Sequence, residues 1–204
     1  MVARLAAASL QEIVADQQLL EFARAQGRPI FAENCAPCHG AGGGGGKGYP
    51  NLNDNDWIWG GKLDEIAETI RHGIRSGDPK TRLGPPMPDF GRDGRLKRAE
   101  IETVADYVRS AAGLATDPKA DLTAGKAIFA QNCAVCHGEA GKGNRDLGAP
   151  DLADAIWLYG SDKAAIVEGI WNGRGGMMPA WVGRLDPITL KSLAVYVHSL
   201  GGGK

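Results

Sequence analysis

One short pattern occurs twice in this chain of 204 residues. A cysteine, two further residues, a second cysteine and a histidine follow one another, and the two copies contain all four cysteines of the chain. Two thiols about one helical turn apart can reach the two vinyl groups of one haem, and the adjacent imidazole then lies under the iron. C-x-x-C-H is the signature of c-type haem attachment. The predicted attachment residues are Cys35, Cys38, Cys133 and Cys136, and the predicted proximal iron ligands are His39 and His137.

Two other uses of paired cysteines account for less of the pattern. Two C-x-x-C pairs can build a tetrahedral zinc site, but 98 residues (133 minus 35) separate Cys35 from Cys133, and the histidines would have no role. A dithiol redox site is expected between a strand and a helix, whereas glycine follows each motif here. Two covalent haem c groups are therefore the predicted cofactors.

A second axial ligand is sought among four methionines, of which Met1 is the first residue. Met87 lies in "GPPMPDFG", and Met177 and Met178 lie in "GRGGMMPAW", so both segments contain Met-Pro-x-aromatic. Proline lacks a backbone donor and restricts φ, which suits a loop that holds a thioether towards iron. Met87 and Met178 are the predicted axial ligands, since the register with "PPMP" favours Met178 over Met177.

Two other side chains stay open as alternatives for the iron. Met177 is adjacent to the favoured methionine, and His72 is one of only two histidines outside the cysteine motifs. We expect His72 and His198 to lie on the polar faces of helices. His72 is kept as an alternative or switching ligand.

The repeat extends well beyond the cysteine motifs. "IFAENCAPCHG" matches "IFAQNCAVCHG", "PNL" matches "PDL", and Trp57 and Trp59 match Trp157 and Tyr159. Glycine, aspartate and proline in "AAGLATDPKADLTAG" interrupt the helical pattern between the copies. We therefore predict an all-α chain of two tandem domains, residues 1–116 with an extra leading helix and residues 117–204.

Helices are predicted at matching places in both copies. "LDEIAETIRHGI" and "KAAIVEGIWNG" each form a helix before the methionine loop, and a closing helix follows each loop. Apolar residues recur at offsets of 0, 3, 4 and 7 in the closing helices, which predicts one buried face on each. We expect Asp186 to cap the second closing helix and Thr123 to cap the helix before the second cysteine motif. The positions with this apolar spacing are Ile101, Val104, Ala105, Val108, Leu190, Leu193, Ala194 and Val197.

Charge and hydropathy exclude several classes of protein. The formal net charge is -1, so no basic surface for nucleic acid is expected. No run of about 18 apolar residues is present, and the start "MVARLAAASLQE" is too short and too soon polar for a signal peptide.

Several phrases together resemble the dihaem CcoP (FixP) subunit of cbb3-type cytochrome c oxidases, over nearly the whole chain. They are "PNLNDNDWIWGG", "IRHGIRSGD", "APDLADAIWLYG", "GGMMPAW" and "YVHSLGGG". The resemblance implies two class I cytochrome c folds, each wrapped around one haem c. It assigns Cys35, Cys38, His39 and Met87 to the first haem, and Cys133, Cys136, His137 and Met178 to the second.

The same resemblance implies a function, a place and partners. The chain is expected to be the periplasmic, soluble portion of a subunit with a membrane anchor that this sequence lacks. It would take electrons from a donor cytochrome c or a quinol oxidoreductase and pass them towards the monohaem subunit and the catalytic core, without being an enzyme by itself.

Three rival functions remain open at the level of the sequence. A free periplasmic dihaem carrier would share the fold and the ligands. A dihaem peroxidase or a gas-binding sensor would need an iron with an open or labile axial position, which the matched methionines argue against.

Overall fold

The structure is a computed structural model that describes residues 1–201. This part of the chain contains helices and isolated β-bridges, so the all-α prediction is confirmed. None of the described helices is long and apolar enough to span a lipid bilayer. The helices are α1 Val2–Ala7, α2 Leu10–Ala15, α3 Gln17–Asn34, α4 Ala36–His39, α5 Leu63–His72, α6 Arg98–Ala111, α7 Leu122–Asn132, α8 Ala134–His137, α9 Lys163–Asn172 and α10 Pro187–His198.

The chain divides into two compact units that differ from the two sequence copies. Unit 1 consists of Met1–Leu83 and Met177–Lys204, and unit 2 consists of Gly84–Gly176. The boundary predicted between residues 116 and 117 therefore lies inside unit 2. Each unit combines a cysteine motif from one copy with the closing helix of the other copy.

In unit 1, the helix that leads into the first cysteine motif packs against the last helix of the chain. A methyl group on Gly27 of α3 would lie 2.4 Å from the carbonyl oxygen of Ser192 and 2.7 Å from Cβ of Tyr196 in α10. The ring centroids of Phe31 and Tyr196 are 5.3 Å apart. The small residue on α3 thus allows the two helix backbones to approach closely.

The core of unit 1 also contains the N-terminal segment and α5. Leu5, Leu10 and Ile13 of α1 and α2 are buried in the same cluster as Ile66 and Ile70 of α5. The segment "LQEIVADQQLLEFARAQG" from Leu10, predicted as the one extra leading helix, forms α2 and the first part of α3, because Asp16 interrupts it and caps α3 by accepting from the amides of Gln18 and Leu19. All of these helices belong to unit 1.

In unit 2, the helix that leads into the second cysteine motif packs against the closing helix of the first copy. A methyl group on Gly125 of α7 would lie 2.7 Å from the carbonyl oxygen of Thr103 and 2.7 Å from Cβ of Tyr107 in α6. The rings of Tyr107 and Phe129 are 5.4 Å apart. This contact repeats the α3–α10 contact of unit 1.

The exchange of closing helices follows from the similarity of the copies. The eight positions predicted to be buried in α6 and α10 are all buried, so both helices carry the same kind of apolar face. The apolar face of α6 or of α10 is suited to pack against α3 or α7, so this local pattern does not determine the pairing. The pairing is determined by the rest of the tertiary structure. The predicted cap at Asp186 is confirmed, whereas Asp121 caps α7 in place of Thr123, which lies inside the helix.

Candidate haem sites

The first cysteine motif forms a single turn at the end of α3. The amide N–H groups of Cys38 and His39 donate to the carbonyl oxygen of Cys35 at 3.1 and 2.9 Å. The second motif repeats this turn at the end of α7, with distances of 3.1 and 3.0 Å to the carbonyl oxygen of Cys133. Each turn therefore presents two thiols and one imidazole at the spacing that attachment of one haem requires.

None of the four cysteines, all of which lie within the described residues, forms a disulfide bond. Burial raises the pKa of Cys35 to about 11 and that of Cys133 to about 11, and the second thiol of each motif adds to the effect. A redox-active dithiol depends on a lowered thiol pKa. The environment of these cysteines is therefore unlike that of a dithiol redox site.

Each histidine of the two motifs is oriented by a proline carbonyl. The Nδ1–H of His39 donates to the carbonyl oxygen of Pro50 at 3.0 Å, and the Nδ1–H of His137 donates to that of Pro150 at 3.1 Å. This bond places the proton on Nδ1 and leaves the lone pair of Nε2 for iron. Burial lowers the pKa of His137, which favours the neutral imidazole that a metal needs.

The glycine-rich run after each motif makes this orientation possible. The amide of Gly45 donates to the carbonyl oxygen of His39 at 2.7 Å, and that of Gly143 donates to His137 at 2.9 Å. Both glycines have positive φ, of 72° and 76°. A Cβ at either position would lie 2.6 Å from a backbone carbonyl oxygen of the returning chain, so only glycine fits where the loop folds back towards the proline.

Met178 lies in unit 1, where its main chain pairs with Ile74. The amide of Ile74 donates to the carbonyl oxygen of Met178 at 3.0 Å, and the amide of Met178 donates to that of Ile74 at 2.9 Å. Gly73 has a φ of 67°, and a Cβ there would lie 2.3 Å from the Met178 carbonyl oxygen. The Met178 side chain packs, partly buried, against the core of unit 1.

Met87 occupies the corresponding place in unit 2, where its main chain pairs with Arg174. The amide of Met87 donates to the carbonyl oxygen of Arg174 at 2.7 Å, and the reverse bond is 3.3 Å long. Gly173 has a φ of 70°, and a Cβ there would lie 2.4 Å from the Met87 carbonyl oxygen. The Met87 side chain packs, partly buried, against the core of unit 2.

The structure therefore groups the predicted ligands differently from the sequence-based assignment. Met178 lies in the unit that contains Cys35 and His39, and Met87 lies in the unit that contains Cys133 and His137. The reason is that residues 177–204 pack with residues 1–83, while residues 84–176 form a unit by themselves. Each methionine therefore lies in the same unit as the cysteine motif of the other copy.

The remaining alternatives lie in unsuitable places for an iron ligand. Met177 is 75% exposed. Nδ1 of His72 lies 2.9 Å from Oδ1 of Asp78, and its Nε2 lies 3.5 Å from a carboxylate oxygen of Glu68. Both ring nitrogens of His72 thus face carboxylates at the end of α5.

The donor set fits a haem c better than an ion held by protein side chains alone. Among residues 1–201, no group of three or more histidine, cysteine, aspartate or glutamate side chains is placed to hold a metal ion. Each unit instead combines the thiols of one turn, one imidazole with Nε2 available and one thioether. These are the groups that attach a haem and fill both axial positions of its iron.

Comparison with known proteins agrees with this chemistry. The family described as Cytochrome c matches residues 24–112, and the family described as cytochrome c oxidase, cbb3-type, subunit III, matches residues 120–197. The cbb3-type cytochrome c oxidase subunit FixP of Bradyrhizobium sp. is 60% identical over 203 residues, which cover 100% of this chain and 70% of the relative. This chain belongs to the FixP/CcoP family. FixP of Azorhizobium caulinodans is 58% identical (99% of this chain, 68% of the relative), and CcoP of Azospirillum sp. is 53% identical (98% and 70%).

The structure assigns roles in this FixP/CcoP chain that the sequence reasoning missed. The matched "PNL" and "PDL" phrases marked Pro50 and Pro150 as repeated positions in the sequence. That their carbonyl oxygens orient the imidazole rings is visible only once the loop is folded.

Proposed function

We propose that this FixP/CcoP chain is an electron-transfer subunit of a cbb3-type cytochrome c oxidase and carries two haem c groups, one in each unit. The single observation that best supports this function is the ligand set. Each unit combines a C-x-x-C-H turn, an imidazole whose Nε2 is left available, and one methionine against the core.

The proposed ligand sets cross between the sequence copies. In unit 1, Cys35 and Cys38 form the thioether links, and His39 and Met178 bind the iron. In unit 2, Cys133 and Cys136 form the links, and His137 and Met87 bind the iron. The support for this assignment is the position of each methionine within the same compact unit as the histidine.

Bound haem supplies a one-electron couple between ferrous and ferric iron. One imidazole and one thioether from each unit would hold the haem iron, would favour its ferrous state relative to two imidazoles, and would leave it without a site for a substrate. The proline carbonyls hold the imidazole rings in one orientation, and the paired main chains hold the methionine loops. These features suit rapid one-electron transfer with little movement of the protein.

The partners follow from the family. We propose that the chain receives electrons from a donor cytochrome c or a quinol-oxidising complex and delivers them towards the monohaem subunit and the catalytic core. Thioether attachment of haem takes place outside the bacterial cytoplasm, so the two units are assigned to the periplasmic side of the membrane complex. Redox partners usually meet through small, transient interfaces.

Visible spectroscopy of the haem-loaded protein tests the ligand set. We expect two low-spin haems in both oxidation states and no spectral change with carbon monoxide. Met87→Ala and Met178→Ala should each open one haem to the gas, while Met177→Ala serves as the matched control and should open none. A wild-type haem that binds carbon monoxide readily would contradict the proposal and bring back a peroxidase or sensor function.

Co-purification tests the assignment to an oxidase. The haem-loaded protein is expected to copurify with a haem-copper catalytic core and a monohaem subunit. Recovery of the loaded protein without any partner, at the same expression level as the core subunits, would support a free dihaem carrier instead.

A further inference from the structure

The N-terminal helices are attached by side chains to two other helices of unit 1. Nζ of Lys191 in α10 donates to the carbonyl oxygens of Ala6 and Ala8, at the end of α1, at 2.8 and 2.7 Å. Nε2 of Gln11 in α2 donates to Oδ2 of Asp64 in α5 at 2.6 Å. We call α1 and α2 together the N-terminal strap, because they connect α10 to α5.

The N-terminal strap is an ordered part of unit 1. Leu5 of α1 and Ile13 of α2 are fully buried in the core of this unit. Ser9 and Glu12 cap α2 by donating and accepting reciprocally. The hydrogen bonds from Ser9 and, to a smaller extent, the charge of Lys191 hold the pKa of Glu12 below its ordinary value. The strap is thus joined to α10 by both apolar and polar contacts.

The two helices that the strap connects also hold the Met178 loop. The amide of Trp181 donates to the carbonyl oxygens of Ile70 and Arg71, at the end of α5, at 3.2 and 3.0 Å. Directly after α5, the main chain of Ile74 pairs with that of Met178 in both directions. Helix α10 begins soon after this loop. The position of the Met178 main chain therefore depends on how firmly α5 and α10 are held together.

Unit 2 connects the corresponding helices in a different way. Nζ of Lys163 in α9 lies 2.7 Å from Oδ2 of Asp106 in α6. The repeat places Leu63 and Val195 at these two positions in unit 1, and both pack in its apolar core, so this ion pair has no equivalent there. Within residues 84–176, all of which are described, no helix takes the place of α1 or α2. An ion pair in unit 2 and the strap in unit 1 thus occupy the same mechanical role.

We propose that the N-terminal strap keeps Met178 on the haem iron of unit 1, with Lys191 and Gln11 as positioning residues. The proposal rests on the proposed function. When the strap detaches, α5 and α10 are less firmly held, and the main-chain pair of Ile74 and Met178 opens more often. The bond between sulfur and iron then breaks and re-forms without transfer of an electron, and the open state accepts an external ligand. The strap is therefore a device that keeps this iron closed.

Amide hydrogen exchange of the full, haem-loaded chain, measured by NMR, tests the effect on the loop. In Lys191→Met, we expect the amides of Ile74 and Met178 to exchange about tenfold faster than in the wild type, which corresponds to the loss of about one charge-assisted hydrogen bond. The amide of Met87 in unit 2 should exchange at the wild-type rate. Lys163→Met should give the reciprocal result, with faster exchange at Met87 and no change at Met178.

Visible spectra with carbon monoxide test the step from the loop to the iron. Lys191→Met should bind the gas at half of the total haem, because only one of the two irons loses its methionine. The combination Lys191→Met/Met178→Ala should still open one haem, whereas Lys191→Met/Met87→Ala should open both. These combinations assign the opened haem to unit 1. Exchange rates or gas-binding spectra of Lys191→Met that equal those of the wild type would overturn the proposal.

Two control variants separate the strap from a general effect of charge or stability. Arg24→Gln removes the charge of an exposed arginine on α3 in the same unit, and it should change neither the exchange rates nor the spectra. Lys191→Arg keeps a charged donor and should stay closer to the wild type than Lys191→Met. Equally faster exchange in both units, or in the Arg24→Gln control, would show a general loss of stability and contradict the proposal.

A milder variant keeps the test decisive if Lys191→Met does not load haem. Gln11→Ala detaches only the end of the strap on α5 and should speed exchange at Ile74 and Met178 by a smaller factor. Exchange at the wild-type rate in Gln11→Ala would count against the proposal in that case. Failure of the proposed function is recognised separately, because the wild-type spectrum would then lack two low-spin haems.

Discussion

The main chains of Met87 and Arg174 hydrogen-bond to each other in both directions, at 2.7 and 3.3 Å. Met87 belongs to the first sequence copy and Arg174 to the second, yet both lie in unit 2. The same pairing joins Ile74 of the first copy to Met178 of the second in unit 1. These two bridges show that the methionine loops, as well as the closing helices, are exchanged between the copies.

The exchange predicts which methionine binds each iron. In a Cys133→Ala/Cys136→Ala chain, which keeps the haem of the first motif, Met178→Ala should open the remaining haem to carbon monoxide and Met87→Ala should not. In the reciprocal Cys35→Ala/Cys38→Ala chain, Met87→Ala should open it. The reverse pattern, measured by the same gas-binding spectra, would support ligation within each sequence copy.

The close helix crossings predict a loss of stability when glycine is replaced. Gly27→Ala and Gly125→Ala place a methyl group within 2.4–2.7 Å of the facing helix, and overpacking of this kind costs about 1–3 kcal/mol. Calorimetric unfolding should show a lower transition temperature for each variant. Gly42→Ala, where a Cβ would meet nothing within 4 Å, is the control, and an equal loss there would remove the packing explanation.

An ion pair between α6 and α9 is predicted to stabilise unit 2. Nζ of Lys163 lies 2.7 Å from Oδ2 of Asp106, whose side chain is only 9% exposed. Lys163→Met leaves this carboxylate without its partner and should lower the unfolding free energy by about 1–2 kcal/mol, less than for a fully buried pair because Lys163 is 43% exposed.

A double-variant cycle checks the role of this pair. Asp106→Leu combined with Lys163→Met should recover most of the lost stability, because no unpaired charge stays buried. The exposed pair between Arg98 and Glu102 is the control, and Arg98→Met should cost less than about 0.5 kcal/mol. Additive losses in the cycle would mean that the two side chains act independently.

The cap of α10 predicts a pH-dependent contribution to stability. Hydrogen bonds from the Thr189 hydroxyl and amide hold the pKa of Asp186 below its ordinary value. A lowered carboxyl pKa in the folded state stabilises the protein above the unfolded pKa of about 3.9, and this contribution is lost as the pH falls through the folded value.

Asp186→Ala should therefore destabilise unit 1 at neutral pH by about 1 kcal/mol. The difference from the wild type should shrink as the pH falls below the unfolded pKa of about 3.9, where the unfolded state takes up a proton first, and should be smallest once the pH is also below the lowered folded pKa. Urea unfolding at pH 7 and at pH 3 measures this difference. A difference that stays the same at both pH values would show that the cap does not depend on the charge of Asp186.

The positions of the helices and the turns of the two cysteine motifs were largely predictable from the sequence, whereas the set of iron ligands stays a prediction. The buried faces of α6 and α10 followed from apolar spacing, and the turn of each cysteine motif followed from the chemistry of haem attachment. These features depend on residues close together in the chain, so a local pattern is sufficient. The carbonyl oxygens of Pro50 and Pro150 reach the imidazoles only because the glycine-rich loop folds back. The sequence showed that these prolines are repeated but did not show this role.

By itself, the sequence determined that two C-x-x-C-H turns, two methionine loops and two closing helices exist, and that the chain resembles FixP and CcoP. Only the tertiary structure decided how these parts are grouped, with Met178 in the compact unit of the first motif and Met87 in that of the second. The physical reason is that the two closing helices bury apolar residues at matching positions, so this local pattern does not distinguish a partner within a copy from one in the other. The choice depends on contacts between distant parts of the chain, such as Gly27 against Ser192 and Gly125 against Thr103.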